Sequence, residues 1–139
     1  MTADAVLIHV VAGALFDASR RVLIAQRPPG KHMAGGWEFP GGKLDPGEQP
    51  LAGLKRELSE ELGVDVRAAE RLCRYEYAYP ERTVQLELWI VGEYSGEPQP
   101  LDGQALQWVA LEDLDEIGLL EADRPMVQAL RGAAGQFVL

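Results

Sequence analysis

Cysteine is nearly absent from this chain: of 139 residues only Cys73 carries a thiol, and only His9 and His32 carry an imidazole. A lone thiol excludes an intramolecular disulfide and points to a reducing compartment, so a cytoplasmic location is expected. His9, His32 and Cys73 are too few, at separations that fit no zinc-ligand spacing, to make a zinc site. Positive charge is also scarce, with 13 lysines and arginines against 22 aspartates and glutamates and a net charge of −9. Without a cation excess many phosphates cannot be neutralised, which argues against polymeric nucleic acid as a partner. A short polyphosphate carried in with a metal remains compatible. The apolar run from Ala5 to Phe16 is broken by His9 and Gly13, lacks a basic leader and is too short to span a bilayer. It reads as a buried strand, and no membrane partner is expected. Repeats, low-complexity tracts, linkers and nucleophilic serine or cysteine motifs are missing as well, so residues 1–139 read as one domain able to bury a core.

What is present alternates between strand and loop signals. Ala5–Leu15 and Val22–Gln26 are expected strands about the Asp17-Ala18-Ser19-Arg20 turn, followed by a proline- and glycine-rich loop from Arg27 to Gly36. Arg71–Tyr79 and Thr83–Tyr94 read as a hairpin about Pro80-Glu81, with Val84, Leu86, Leu88 and Ile90 alternating against Gln85, Glu87 and Trp89. Gly92–Gly103 reads as a loop, Ala105–Leu111 as a strand, and Arg124–Arg131 as a short helix with Pro125 at its start and Asp123 as its N-cap. The sum is an α+β fold, a mixed β-sheet packed between helices.

Residues 42–64 carry the chemistry. Gly42 is followed by five residues and Glu48, then by seven and Arg56-Glu57-Leu58, with Glu60-Glu61 and Gly63-Val64 closing the segment. Average residue usage puts such a match at about 10⁻⁹ per starting position, which removes coincidence from consideration. Pro50 suits a first helical turn, Leu51, Leu54, Leu58 and Leu62 recur at helical spacing, and Gly63 is a C-terminal stop, so residues 50–62 are an expected helix. Glu57, Glu60 and Glu61 then share one face at i, i+3 and i+4, turned away from the leucine stripe. Three carboxylates within one turn repel, and Arg56 offsets only one of them, so a hard divalent cation, Mg²⁺ with Mn²⁺ as a substitute, is the expected complement. Pro40, Gly41, Gly42, Pro46 and Gly47 make a rigid turn ahead of the helix that exposes its backbone to a metal or phosphate. Gly53 inside the helix costs about 1 kcal/mol relative to alanine, so this helix is not built for stability alone.

The 42–64 spacing is that of the Nudix box, and the chain resembles the MutT-type Nudix hydrolases over nearly its full length. Ala25-Gln26-Arg27, Lys31-His32-Met33, Trp37-Glu38-Phe39-Pro40-Gly41-Gly42-Lys43, Tyr79-Pro80-Glu81-Arg82, Gly96-Glu97-Pro98 and Ala122-Asp123-Arg124-Pro125 carry the likeness outside the box. It implies the Nudix fold, an α/β/α sandwich, and magnesium-dependent hydrolysis of a nucleoside triphosphate to a monophosphate and pyrophosphate by attack of water on the β-phosphorus. The first expected substrate is 8-oxo-dGTP, whose removal keeps oxidised guanine out of DNA. Carried onto this chain, the family pattern assigns Glu57, Glu60, Glu61 and the Gly41 carbonyl to the metal, with Asp102 where relatives have a further glutamate. Glu57, then Glu60, is the expected base, and Glu48 orients Arg56 or a metal-bound water. Arg27 and Arg82 match phosphate-contacting positions, Lys43 adds to them, and His32 lies beside the set.

Base recognition leaves alternatives. MutT-type proteins that select 8-oxoguanine present an asparagine amide where this chain has Asp123; an amide donates and accepts, whereas an ionised carboxylate only accepts. Asp123 suits an oxidised guanine, the exocyclic amine of cytosine in CTP or 5-methyl-dCTP, or simply a helix cap. Ile8, Val10, Tyr79 and Val84 are expected to wall the base, against the default reading of strand aliphatics as core. ADP-ribose, RNA 5′-ends and a non-catalytic binding module are the remaining readings, and either a monomer or a homodimer, paired through a sheet edge or the 71–94 hairpin, is compatible.

Overall fold

The computed structural model describes residues 7–133; Ala5 and Val6, the first two positions of the first expected strand, lie outside them. Among the described residues the order is β1 (Ile8–Leu15), β2 (Val22–Gln26), β3 (Trp37–Glu38), β4 (Gly41–Lys43), α1 (Pro50–Leu62), β5 (Asp65–Ala78), β6 (Thr83–Ser95) and β7 (Ala105–Val109), then 3₁₀ turns at Leu111–Glu116 and Glu121–Asp123, and α2 (Arg124–Ala133). The strands divide between two sheets, β4-β1-β6-β5 and β3-β2-β7, rather than forming one. The four-stranded sheet is mixed, because β1 runs parallel to β6 while the β1–β4 and β5–β6 pairs are antiparallel.

A strand with a parallel neighbour at the sheet centre is covered on both faces, so β1 is apolar on both. Val11 and Leu15 pack with Leu23, Val91 and the α1 stripe Leu54, Leu58 and Leu62. Ala12 and Ala14 pack with Leu86, Leu88 and Ile90 of β6 and with Met126, Val127 and Leu130 of α2. Complete burial of each α1 leucine contributes about 1.5–3 kcal/mol, which is how this face holds the opposite, acidic face in place. α1 ends at Gly63, whose φ of 72° is the left-handed conformation a C-terminal glycine allows. No helix among the described residues is long and apolar enough to cross a membrane.

Four local expectations change. The strand foreseen from Arg71 starts at Asp65, and its alternation is scrambled by register shifts between Val66 and Ala68, Ala68 and Ala69, and Arg71 and Cys73. The strand foreseen to Leu111 stops at Val109, where the chain turns into a 3₁₀ segment. Glu87, foreseen on the polar face of its strand, is buried at 2% exposure, and Trp89 Nε1 donates to its Oε1. The glycine turn around residue 41 includes a short strand, because Gly41 and Gly42 pair with Ala12 and Val11.

That pairing depends on glycine. A Cβ on Gly41 would lie 2.0 Å from the Val11 carbonyl oxygen. Gly41→Ala is therefore expected to destabilise the fold by about 1–3 kcal/mol or more. Gly132→Ala, in α2 with open space around the added methyl, is expected to stabilise it by about 0.5–1 kcal/mol. Urea denaturation of both variants checks the pair, and equal effects would contradict it.

Candidate active site

α1 starts at a proline and carries Arg56, Glu57, Glu60 and Glu61 on the side away from its buried leucines. Arg56 is the centre of the arrangement. Its Nε donates to Glu48 Oε2 at 2.8 Å and its Nη2 to Glu48 Oε1 at 2.9 Å, a two-pronged pair. Nη1 donates to Glu57 Oε2 at 2.9 Å and to Glu60 Oε1 at 3.2 Å, and Nη2 also reaches the Lys43 carbonyl at 3.1 Å. One planar guanidinium thus joins the glycine strand, the loop before α1 and two of the helix carboxylates. The Arg56 fork, together with a bond from the Asp45 N–H, brings Glu48 down to about 2. Gly53 has a packing reason for lacking a side chain: its Cβ would lie 2.2 Å from Leu44 and 3.0 Å from Glu48 Oε1, so Glu48 reaches Arg56 only over a bare helix position.

Glu61 is in a different state. Its Oε2 is buried without a hydrogen-bond partner. Burial first, then the negative charges of Glu57 and Asp102, push its carboxyl far above the usual range. An orphaned buried oxygen beside like charges is a position a cation would relieve. Gly42 lies against the same group, since a Cβ there would fall 2.4 Å from the Glu57 carboxylate. The hard oxygen donors of Glu57, Glu60, Glu61 and Asp102 and the glycine-strand backbone fit a divalent metal by chemistry. Among the described residues, however, no three acidic, histidine or cysteine side chains are already gathered at metal-binding distance. Glu57 and Glu60 are instead paired with Arg56, at 2.9 and 3.2 Å.

A cavity of about 570 Å³ runs from this cluster to the start of α2. Gly41, Lys43, Glu57, Glu60, Glu61 and Asp102 line it together with Arg27, His32, Arg82 and Tyr79. Ile8, Val10, Val84 and Asp123 line it too, while Glu48 and Arg56 stand behind the carboxylates rather than on the cavity wall. Glu38 fixes Arg27 by accepting from its Nε at 3.0 Å, and the Arg27 Nη1 donates to the His32 carbonyl at 2.8 Å. His32 meets Tyr79 edge-on at 6.2 Å between centroids, and Tyr77 supports Tyr79 at 4.9 Å.

Asp123 does not spend its carboxylate on the first turn of α2 as an N-cap. Its Oδ2 accepts from the Phe39 N–H at 3.0 Å, linking the strand end to the last 3₁₀ turn. Burial, reinforced by the nearby Glu38 charge and opposed by the Phe39 bond and Arg27, lifts it to about 7. Three participants escaped residue-by-residue reading: Glu38, the Phe39 N–H and Gln104, all on the cavity wall. An acid between Trp37 and Phe39 in a short apolar strand was the available signal for Glu38. A backbone N–H and a buried amide leave none.

A family model described as NUDIX domain matches residues 11–129. The chain is 34% identical to the 8-oxo-dGTP diphosphatase of Haemophilus influenzae over 135 residues, covering 97% of this chain and 99% of that protein. It is 37% identical to the CTP pyrophosphohydrolase of Escherichia coli over 123 residues, covering 88% of this chain and 90% of the relative. The solution structure of the E. coli ORF135 protein superposes with a TM-score of 0.85 at 32% identity, covering 98% of this chain and 96% of that one.

The state of Glu61 sets a pH dependence. In the metal-free protein its folded carboxyl holds a proton that the unfolded chain releases above ~4.3, so folding stability is lost as pH rises past that value. Glu61→Gln removes the loss. In EDTA at pH 8 the variant is expected to exceed wild type by about 1–3 kcal/mol in urea denaturation, with the gap closing below about pH 4. A gap of the same size at both pH values would contradict this assignment.

Proposed function

The chain belongs to the NUDIX domain family, and on that premise we propose that it hydrolyses nucleoside triphosphates to a monophosphate and pyrophosphate, with 8-oxo-dGTP as the preferred substrate. The observation that carries the reading is one cavity lined together by a carboxylate cluster, two arginines and a buried Asp123. Those three kinds of group suit the metal, the phosphates and the base of a nucleoside triphosphate.

Glu57, Glu60 and Glu61 would hold the cation, with the Gly41 carbonyl and Asp102 as further donors. When bound, Mg²⁺, or Mn²⁺ in its place, supplies Lewis-acid polarisation of phosphate oxygens and of water. Glu57 accepts the proton of the attacking water, with Glu60 next in line, and the Arg56 guanidinium hydrogen-bonds the Glu57 carboxylate. Arg27, pre-oriented by Glu38, and Arg82, on the β5–β6 turn, take the phosphate chain, and Lys43 and His32 border it. Ile8, Val10, Val84 and Tyr79 wall the base, and Asp123 reads its edge.

Asp123 near neutrality accounts for an aspartate in place of an amide. The protonated carboxyl donates and accepts as an amide does, which suits an oxidised guanine. The ionised form only accepts and suits the exocyclic amine of cytosine, so CTP or 5-methyl-dCTP is the second reading, and the CTP-hydrolysing relative agrees with it.

Steady-state kcat/KM with Mg²⁺ for 8-oxo-dGTP, dGTP, CTP and 5-methyl-dCTP, with pyrophosphate as readout, decides between them. Wild type is expected to favour 8-oxo-dGTP, and the preference over the cytosine nucleotides should fall as pH rises through about 7. Asp123→Ala should reduce discrimination about 10–100-fold, the value of a lost buried hydrogen-bond pair. Greater turnover of the cytosine nucleotides at every pH would transfer the assignment to them.

A further inference from the structure

The segment before β7 is tied to α1 by one buried side chain. Gln104 is 6% exposed and uses both ends of its amide. Its Oε1 accepts from the Asp102 N–H at 2.9 Å, and its Nε2 donates to the Glu61 carbonyl at 3.2 Å. The same carbonyl accepts from the Leu101 N–H at 3.1 Å, and Leu62, next along, accepts from the Gln99 N–H at 2.9 Å. The last carbonyls of α1, which the helix itself leaves unpaired, are thereby satisfied by the segment that presents Asp102.

The two ends of this link belong to different sheets. Gln104 adjoins Ala105, which pairs with Gln26 in the β3-β2-β7 sheet, whereas α1 packs on β1 of the four-stranded sheet. The distance from Asp102 to the helix carboxylates is therefore set across a seam between sheets, spanned by the Leu101 and Gln99 N–H groups before Asp102 and by the Gln104 amide after it. Glu61, whose backbone it holds, carries the orphaned Oε2 on its own side chain.

We propose that Gln104 is a positioning residue: it holds Asp102 and Glu61 in mutual register, so that Asp102 contributes to cation binding only while the Gln104 amide bridges them. The proposal rests on the metal-dependent reading of the carboxylate cluster. A merely structural amide would cap α1 and affect stability alone.

The test is a double-mutant cycle read by direct Mn²⁺ binding, using the free-ion electron paramagnetic resonance signal with no nucleotide present, and by Tm. Gln104→Met keeps the volume and removes both bonds. It is expected to raise the Mn²⁺ Kd about tenfold, the scale of lost ligand support, as is Asp102→Asn. The combined variant should be no weaker than either single one, since both remove the same contribution. The apparent Mg²⁺ constant for hydrolysis should rise in parallel. If Gln104→Met fails to fold, Gln104→Asn retains the amide but is one methylene too short to span both partners, and the same loss is expected. A lowered Tm with Mn²⁺ affinity within twofold of wild type would overturn the proposal. So would multiplicative losses in the combined variant, or an Asp102→Asn variant that binds as wild type does. Wild type that binds Mn²⁺ yet turns over no triphosphate would sink the functional reading and leave the cycle to decide this one.

Discussion

The site depends first on the guanidinium of Arg56. Three carboxylates and a backbone carbonyl accept hydrogen bonds from one planar cation, which binds Glu48 with two prongs and Glu57, Glu60 and the Lys43 carbonyl with the remaining hydrogens, while Asp45 lies 3.5 Å from its Nε. Without that fork Glu57 and Glu60 would repel on the helix surface, and Glu48 would lose its two-pronged tie to α1. The charge count explains the rest: one cation cannot satisfy four helix and loop carboxylates, and Glu61 is left buried and short of a partner. That surplus of negative charge is what the proposed cation site rests on.

The scaffold supplies this geometry through close approach. Gly41 faces the Val11 carbonyl, Gly42 faces the Glu57 carboxylate, and Gly53 leaves room for Leu44 and Glu48. Each missing side chain leaves space that a Cβ would take from a neighbouring backbone, carboxylate or leucine. On the other side of the cavity β3 performs a comparable task with different chemistry. Glu38 holds Arg27, the Phe39 N–H holds Asp123, and the Trp37 carbonyl accepts from the Leu120 N–H at 2.9 Å, so a two-residue strand and its neighbour fix Arg27 and Asp123.

Legibility in the sequence followed the range of the interactions. α1 could be read to the residue, because a first-turn proline, a leucine period and a glycine stop are all local signals. The acidic face of α1 followed from the same period. The division into two sheets could not be read, since β4 is three residues long and exists only through pairing with β1, far behind it in the chain. Nor could the start of β5, where irregular register hides the alternation. In the site, side chains that had a family counterpart were nameable, but what they do to one another was not. That Asp123 bonds the Phe39 N–H across 84 positions, that Gln104 joins Asp102 to Glu61, and that Glu38 steers Arg27 are facts of tertiary contact.

Arg56→Lys isolates the organising interaction, because lysine keeps the charge and loses the fork. The decisive measurement is kcat for triphosphate hydrolysis by this variant at saturating Mg²⁺, with circular dichroism recorded on the same sample. If the fork sets the carboxylate geometry, kcat falls about 100-fold with the fold intact, the scale expected when reacting groups shift by about 1 Å. A kcat within about twofold of wild type would show that positive charge alone suffices and that the geometry around Arg56 does not organise the site.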